Sequence, residues 1–126
     1  MTTELIAGGM HVDARGCLRF CNDFDLTPVR RFYTVRNSTT SPRRGWILHR
    51  RETKWFFPLT GVTKVWWGPD CADARCSILK AEEPGVLKIE PGNWFLIEQD
   101  GQAEVMVFSD SVLGEFPDDD FRKEDK

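Results

Sequence analysis

The stretch TKWFFPLTGVTKVWWGPD, residues 53–70, contains two short apolar runs on either side of a glycine. Both runs are rich in aromatic and β-branched residues, which favour strands over helices. Gly61 supplies turn chemistry between the runs, and Gly68-Pro69-Asp70 ends the second one. The stretch therefore predicts two consecutive strands, over Thr53–Leu59 and Thr63–Trp67.

The same pattern of short apolar runs between turn clusters extends over most of the chain, and helix periodicity is nearly absent. Further strands are predicted over Cys17–Asn22, Val29–Arg36, Gly45–His49, Arg75–Lys80, Gly85–Ile89, Asn93–Glu98 and Glu104–Ser109. Short strands at a spacing of about ten residues are typical of antiparallel sandwiches and barrels. The sequence therefore predicts an all-β domain with no helix longer than about three turns.

A chain of 126 residues fits one domain. We expect this domain to span residues 1–116. Residues 117–126 form an acidic tail that is either frayed or a short capping turn, because Asp118-Asp119-Asp120 offer little apolar surface to bury. No apolar run approaches the ~20 residues of a membrane span. The first residues show no cationic start or long apolar region, so we expect a cytoplasmic protein that does not bind membranes.

The charge balance does not favour a nucleic acid partner. Seventeen Lys and Arg against 20 Asp and Glu give a net charge of -3, which would repel a polyanion. The cations are nevertheless concentrated between Val29 and Lys54, where Glu52 is the single opposing acid. They are Arg30, Arg31, Arg36, Arg43, Arg44, Arg50, Arg51 and Lys54. This cluster either forms a local anion site or lies on solvated strand edges and turns.

Four cysteines, Cys17, Cys21, Cys71 and Cys76, raise the alternatives of two disulfides or a metal site. Their spacing fits neither alternative, because no histidine lies near the second pair to complete a zinc site. In a chain without an export signal we expect reduced thiols that act mostly as small buried apolar residues.

Side-chain alternation sorts the strand residues by face. Arg31, Tyr33 and Val35 share one face of their strand, and Ile47 and His49 share one face of the next strand. The predicted core consists of Trp55, Phe57, Leu59, Val62, Val65, Leu79, Leu87, Ile89, Phe95, Ile97, Val105 and Val107.

Few side chains can exchange protons near neutral pH. The chain contains two histidines, His11 and His49, and a single tyrosine, Tyr33. His49 ends a predicted strand where it enters a basic turn. Taken alone, such a histidine is also typical of a hydrogen-bonded structural residue.

Four segments together resemble one enzyme family. The run Arg44-Gly45-x-x-x-His49-Arg50-x-x-x-Lys54, followed by Gly61, resembles the Arg-Gly-x-His-x-His-Lys-x-x-x-Gln segment and glycine of the nucleotide-sugar ketoisomerases. These enzymes are cupin relatives of the dTDP-4-dehydrorhamnose 3,5-epimerases. The segments 13–18 and 29–35 resemble the family's Asp-x-Arg-Gly-x-Leu and Arg-Val-Tyr motifs. Ile89-Glu90-Pro91-Gly92-Asn93-Trp94 resembles the Pro-x-Gly-x-His turn of cupins.

The resemblance implies a jelly-roll barrel whose open end holds a nucleotide-linked 4-keto-6-deoxy sugar, in a homodimer without a cofactor. Its reactions move protons through an enediol or enediolate. His49 would then be the base and Tyr33 the proton donor, while the cations of Arg31, Arg44 and Lys54 would contact the oxyanion or the diphosphate.

Three departures from the family pattern bear on the activity. Ile47 stands where the ketoisomerases carry the first of two histidines, and Lys54 stands where they carry glutamine. Trp94 stands about where cupins carry a later metal-binding histidine, so we expect no bound metal, and Ile47 and Trp94 join the predicted substrate-binding residues. Three functions remain open: a sugar isomerase or epimerase, a catalytically silent cupin that binds a sugar or sugar nucleotide as an accessory or regulatory module, or a purely structural or partner-binding role.

Overall fold

The computed structural model describes residues 4–116 and 121–125, and strands dominate this part of the chain. In chain order the strands are β1 (Glu4–Ala7), β2 (Gly9–Asp13), β3 (Gly16–Phe20), β4 (Arg31–Val35), β5 (Arg43–Leu48), β6 (Lys54–Thr60), β7 (Val62–Gly68), β8 (Arg75–Lys80), β9 (Gly85–Ile89), β10 (Trp94–Gln99), β11 (Glu104–Ser109) and β12 (Phe121–Arg122). The one helical element among these residues is a 3-10 turn, Cys71–Asp73. The all-β prediction is confirmed.

Two five-stranded antiparallel sheets face each other across the core. The first has the order β1-β9-β6-β11-β4, and the second has the order β12-β5-β10-β7-β8. Strands that are consecutive in the chain, such as β5 and β6, pass from one sheet to the other, as in a jelly roll. The hairpin of β2 and β3 forms a separate two-stranded sheet.

The predicted strands over Arg75–Lys80, Gly85–Ile89 and Glu104–Ser109 match the structure at both ends, and the others differ by a few residues. The sequence analysis did not predict β1, β2 or β12. Tertiary pairing accounts for two of these: β1 lies along β9, and β12 lies along β5. Part of the acidic tail therefore extends a sheet, while residues 117–120 and 126 lie outside the described residues.

The core cluster contains Val35, Phe56, Val65, Leu79, Leu87, Ile89, Phe95, Ile97, Val105 and Val107. Most of the predicted core is confirmed, but the face assigned to β6 needs correction. Phe56 is fully buried in the core, whereas Phe57 and Leu59 are half-buried, and so is Val62 at the start of β7. Trp55 is buried on the opposite side of the sheet, against Phe24.

A β-bulge in β5 changes which side chains face the interior. Phe95 of β10 pairs with Ile47, but the next residue, Leu96, pairs with Gly45, so Trp46 is the extra residue. Gly45 has a φ of +139°, and a Cβ there would lie 2.8 Å from the Cα of Leu96. Only glycine fits this close approach without strain.

The four cysteines are free, in agreement with the prediction of reduced thiols. The prediction that most of them are buried is wrong: Cys17 and Cys76 are exposed, and Cys21 and Cys71 are half-buried. Residues at the edge strands β3 and β8 have few neighbours to cover them. Within residues 4–116 and 121–125, the structure has no helix with the length and apolar character of a transmembrane span.

Candidate active site

A cavity of about 450 Å³ opens between the two sheets. Strands β4, β5, β6 and β10 supply its walls, and residues from 111 to 116 and β12 supply its rim. The lining residues are Arg31, Tyr33, Val35, Arg44, Ile47, His49, Glu52, Lys54, Phe95, Ile97, Ser111, Val112, Gly114, Phe116 and Arg122. Its volume lies within the range typical of small-molecule sites.

Six of the seven predicted site residues line this cavity: Arg31, Tyr33, Arg44, Ile47, His49 and Lys54. The structure does not bring Trp94 into the lining. Strand alternation turns its neighbour Phe95 inward instead, and the ring of Trp94 lies 5.2 Å from the Lys123 ammonium.

Arg44 reaches the cavity because of the bulge in β5. Strict alternation from Ile47 would place Arg43 inward and Arg44 outward. The extra residue reverses this order, so Arg44 pairs with the inward-facing Ile97, while Arg43 points outward to Glu98 and Asp125. An arginine that alternation alone would send to solvent thereby faces the ligand space.

Glu52 is a site residue that the sequence analysis missed. It lies in the β5–β6 connection, its side chain is 8% exposed, and its Oε2 atom is 2.8 Å from Lys54 Nζ and 3.2 Å from Arg31 Nη2. Ser109 also donates a short hydrogen bond to Oε2. The sequence did contain a signal for this role. Glu52 is the single acid within a basic stretch, and a buried cation cluster needs a counter-charge.

The pKa of Glu52 lies below its ordinary value. Burial by itself raises this pKa, but hydrogen bonds from Lys54 and Ser109, with the charge of Lys54, outweigh that effect. Glu52 is therefore a carboxylate at neutral pH, in contact with the cations of Lys54 and Arg31.

Lys54 connects this carboxylate to Tyr33. Its side chain is 5% exposed, and its Nζ atom donates to the Tyr33 hydroxyl at 2.8 Å. Because an ammonium can only donate, the Tyr33 oxygen accepts this bond and its own proton must point elsewhere. The contact with Lys54 thus directs the Tyr33 proton away from the ammonium.

His49 lies in the same cavity with an 11% exposed side chain. Its Nδ1 atom is 3.7 Å from Oε1 of Glu52, and its ring centroid is 6.0 Å from that of Phe95. The imidazole therefore faces a carboxylate on one side and an apolar wall on another.

The C-terminal segment completes the rim. Arg122 pairs with Ile47 and, like it, lines the cavity. Phe116 also lines the cavity, and the Arg51 guanidinium lies 4.7 Å from its ring centroid. The sequence analysis missed both residues, because nothing local indicates that an acidic tail returns to a strand edge.

The cavity combines a base, a hydroxyl donor and several cations with an apolar floor, which suits proton transfer at a carbon acid next to a carbonyl. In the part of the chain that the structure describes, no group of three or more His, Cys, Asp or Glu side chains is arranged to hold a metal ion.

The lowered pKa of Glu52 predicts a pH dependence of stability. A depressed pKa contributes stability above the ordinary value of 4.5, and this contribution is lost as the pH falls through the folded value. The free energy of unfolding, measured with urea, should fall below about pH 4.5 less steeply in Glu52→Gln than in the wild type. The exposed carboxylates are common to both proteins and cancel, so equal slopes would contradict this assignment.

Comparison with solved structures finds the same architecture in sugar-modifying enzymes. A 3,4-ketoisomerase from Helicobacter canadensis superposes with a TM-score of 0.79 at 18% identity, covering 98% of this chain and 92% of that one. A sugar 3,4-ketoisomerase from Thermoanaerobacterium thermosaccharolyticum in complex with TDP has a TM-score of 0.75 at 21% identity, covering 96% and 88%.

An RmlC epimerase from Mycobacterium tuberculosis has a TM-score of 0.76 at 14% identity, covering 95% of this chain and 68% of that one. No family model matches the sequence, and no curated protein matches it. The fold implied by the sequence motifs is thus confirmed by structure rather than by sequence similarity. The chain has the RmlC-like cupin fold that these sugar ketoisomerases and epimerases share.

Proposed function

We propose that the protein isomerises or epimerises a nucleotide-linked 4-keto-6-deoxy sugar by metal-free proton transfer. The observation that carries this proposal is the meeting of His49, Tyr33 and the cations of Arg31 and Arg44 in one cavity. The structural neighbours add support, because their names describe a TDP-quinovose 3,4-ketoisomerase and an RmlC epimerase.

The reaction begins at the carbon next to the keto group. His49 removes the proton from C3, the electron pair of that C–H bond forms a C3=C4 double bond, and the π pair of the C4 carbonyl moves to its oxygen, which gives an enediolate. Arg31 and Arg44 supply positive charge for the oxyanion. No oxidant or reductant is needed.

The outcome depends on where the proton returns. Delivery to the opposite face of C3 inverts that centre, whereas delivery to C4, with transfer of the C3 hydroxyl proton to the C4 oxygen, moves the carbonyl to C3. Tyr33 is the candidate donor for either step. Lys54, at 2.8 Å, would then hydrogen-bond the resulting phenolate.

The rim offers a place for the nucleotide diphosphate. Arg44 and Arg122 are both exposed side chains on the cavity lining, and guanidinium groups match phosphate oxygens in geometry and charge. Two neighbouring structures contain TDP, which makes a thymidine diphosphate group the first ligand to test.

Proton exchange in heavy water tests the proposal. The protein is incubated with dTDP-4-keto-6-deoxyglucose in deuterium oxide, and NMR follows loss of the C3 proton signal. The proposal expects loss of this signal at a rate above the buffer control. Binding of the sugar nucleotide without any exchange would instead support the silent cupin that acts as an accessory module.

Ile47 gives a second prediction, because it occupies the position of the family's first histidine. Ile47→His should add a second proton-transfer group on the same strand face as His49 and raise the exchange rate on the order of tenfold or more, or change the product. The control is Ile47→Leu, a volume-conserving change that should leave the rate near the wild type. An unchanged rate and product in the histidine variant would contradict this interpretation of Ile47.

A homodimer remains a prediction, since symmetric dimers are the commonest oligomers of soluble proteins. Light scattering that gives twice the mass of the chain would support it. The mass of a single chain would contradict it.

A further inference from the structure

Glu52 lies between His49 and Tyr33, the two residues assigned to proton transfer. It faces His49 directly and is linked to Tyr33 through Lys54. Its Oε1 faces His49, and its Oε2 faces Lys54, the residue that donates to the Tyr33 hydroxyl. One buried carboxylate therefore borders both the base and the acid of the site.

The two oxygens of Glu52 have different surroundings. Oε2 receives Lys54 Nζ at 2.8 Å, Arg31 Nη2 at 3.2 Å and the Ser109 hydroxyl. All three groups donate hydrogen bonds, so the atom at this position must be an acceptor. Oε1 faces His49 Nδ1, at 3.7 Å.

We infer that Glu52 is the positioning residue of His49: it holds the imidazole proton on Nδ1 and thereby makes Nε2 the basic nitrogen. A carboxylate can only accept hydrogen bonds, so it favours the tautomer that carries hydrogen on the nearer nitrogen. The distance of 3.7 Å exceeds a hydrogen bond, but such contacts are commonly long before substrate binds. The catalytic consequence rests on the proposed function, whereas the tautomer does not.

Glu52 also positions Tyr33, the proposed proton donor, through Lys54. Glu52 and Tyr33 share the Lys54 ammonium at 2.8 Å each, which holds the phenol oxygen as an acceptor and keeps its proton available to the cavity. Among the described residues, the other charged side chains that share a lining with His49 include Arg31, Arg44 and Arg122 on the main cavity, and Glu90. Glu90 pairs with Lys88 at 3.4 Å, whereas Glu52 places its Oε1 atom 3.7 Å from His49 Nδ1.

Substitution Glu52→Gln has a defined effect on the tautomer. The three donors at Oε2 require the amide oxygen of glutamine, so its NH2 group must take the place of Oε1 and face His49. A donor at this position needs an acceptor, and Nδ1 must give up its proton to Nε2. The substitution should therefore reverse the tautomer without changing the size of the side chain.

Long-range proton–nitrogen NMR measures this directly at about pH 8.5, where an ordinary imidazole is neutral. The chain contains two histidines, and His11, 64% exposed beside Asp13, is the internal reference. The wild type and Glu52→Asp should show His49 with a protonated Nδ1, and Glu52→Gln should show a protonated Nε2. An Nε2-protonated wild type, or the same His49 pattern in wild type and Glu52→Gln, would overturn the inference.

The kinetic measurement separates positioning from general structural support. In Glu52→Gln the exchange rate should fall on the order of 100- to 10,000-fold, as expected when a base is held in the wrong tautomer, while dTDP affinity stays nearly unchanged. Glu52→Asp should recover part of the rate, and Glu104→Gln, whose carboxylate pairs with Arg36 far from the cavity, should not alter it. Equal rates in wild type and Glu52→Gln would refute the positioning role. If the wild type itself shows no exchange, the proposed function fails and the tautomer measurement alone decides the inference.

Discussion

Substitution of His49 with Asn should lower the rate of solvent-proton exchange from a 4-keto sugar nucleotide by a factor on the order of 100 or more. Asparagine approximates the size of imidazole but cannot accept a proton near neutral pH. Because His49 supplies the base and not the charge of the rim, binding of dTDP measured by calorimetry should remain nearly unchanged.

The matched control is His11→Asn. His11 is 64% exposed on the β2–β3 hairpin and does not line the main cavity, so its loss should leave exchange at the wild-type rate. Wild-type exchange in the His49 variant would remove the imidazole from the mechanism. A loss of both exchange and binding would indicate instead that the substitution disturbs the site as a whole.

The substitution Phe56→Ala should cost about 3–5 kcal/mol of folding free energy. Phe56 has no exposed surface, and its ring packs edge-on against Phe95 at 5.6 Å between the two sheets. Truncation removes apolar contacts and leaves a cavity that sheets anchored by hydrogen bonds cannot fill. Urea denaturation followed by tryptophan fluorescence measures the loss as a lower midpoint.

Phe32→Ala is the control for residue type. Phe32 is 67% exposed on the outer face of the first sheet, so its truncation should change stability by about 0.5 kcal/mol or less. Similar losses in the two variants would contradict the assignment of Phe56 to the interior of the barrel.

The architecture could be predicted because strand chemistry is local. Each strand of the barrel centre is a short apolar run that ends at a turn. For Arg75–Lys80 and Gly85–Ile89 the sequence predicts both ends of the strand. The edge strands β1 and β12 could not be predicted in this way. They exist because β9 and β5 offer unpaired backbone groups, and no local pattern records that contact.

The incorrect prediction of which face of β6 points inward has a physical explanation. Lys54 shares the inward face with Phe56, and a charged residue usually marks the side that contacts solvent. In this protein Lys54 is buried because Glu52 neutralises it and Tyr33 accepts its hydrogen bond. Alternation identified which residues share a face, but only the tertiary ion pair decides which face is inside.

In the candidate site, too, the sequence indicated some residues and could not indicate others. Alternation brought Arg31 and Tyr33 together, and the family motif indicated Arg44 and His49, all of which line the cavity. Trp94 was misplaced because alignment with a motif does not register the orientation of one side chain. Arg122 came from a distant segment, which no spacing within the motif could have indicated.

The bulge at Trp46 makes the polarity of the cavity mouth depend on backbone conformation as well as on residue type. If the bulge were lost with the chain length unchanged, strict alternation below Ile47 would exchange the sides of Arg43 and Arg44 and leave Ile47 and His49 in place. A single substitution at Gly45, whose φ of +139° other residues rarely adopt, would thus remove a cation from the anion site while sparing the proton-transfer groups. Ligand preference and chemistry in this scaffold are therefore able to diverge independently over evolutionary time.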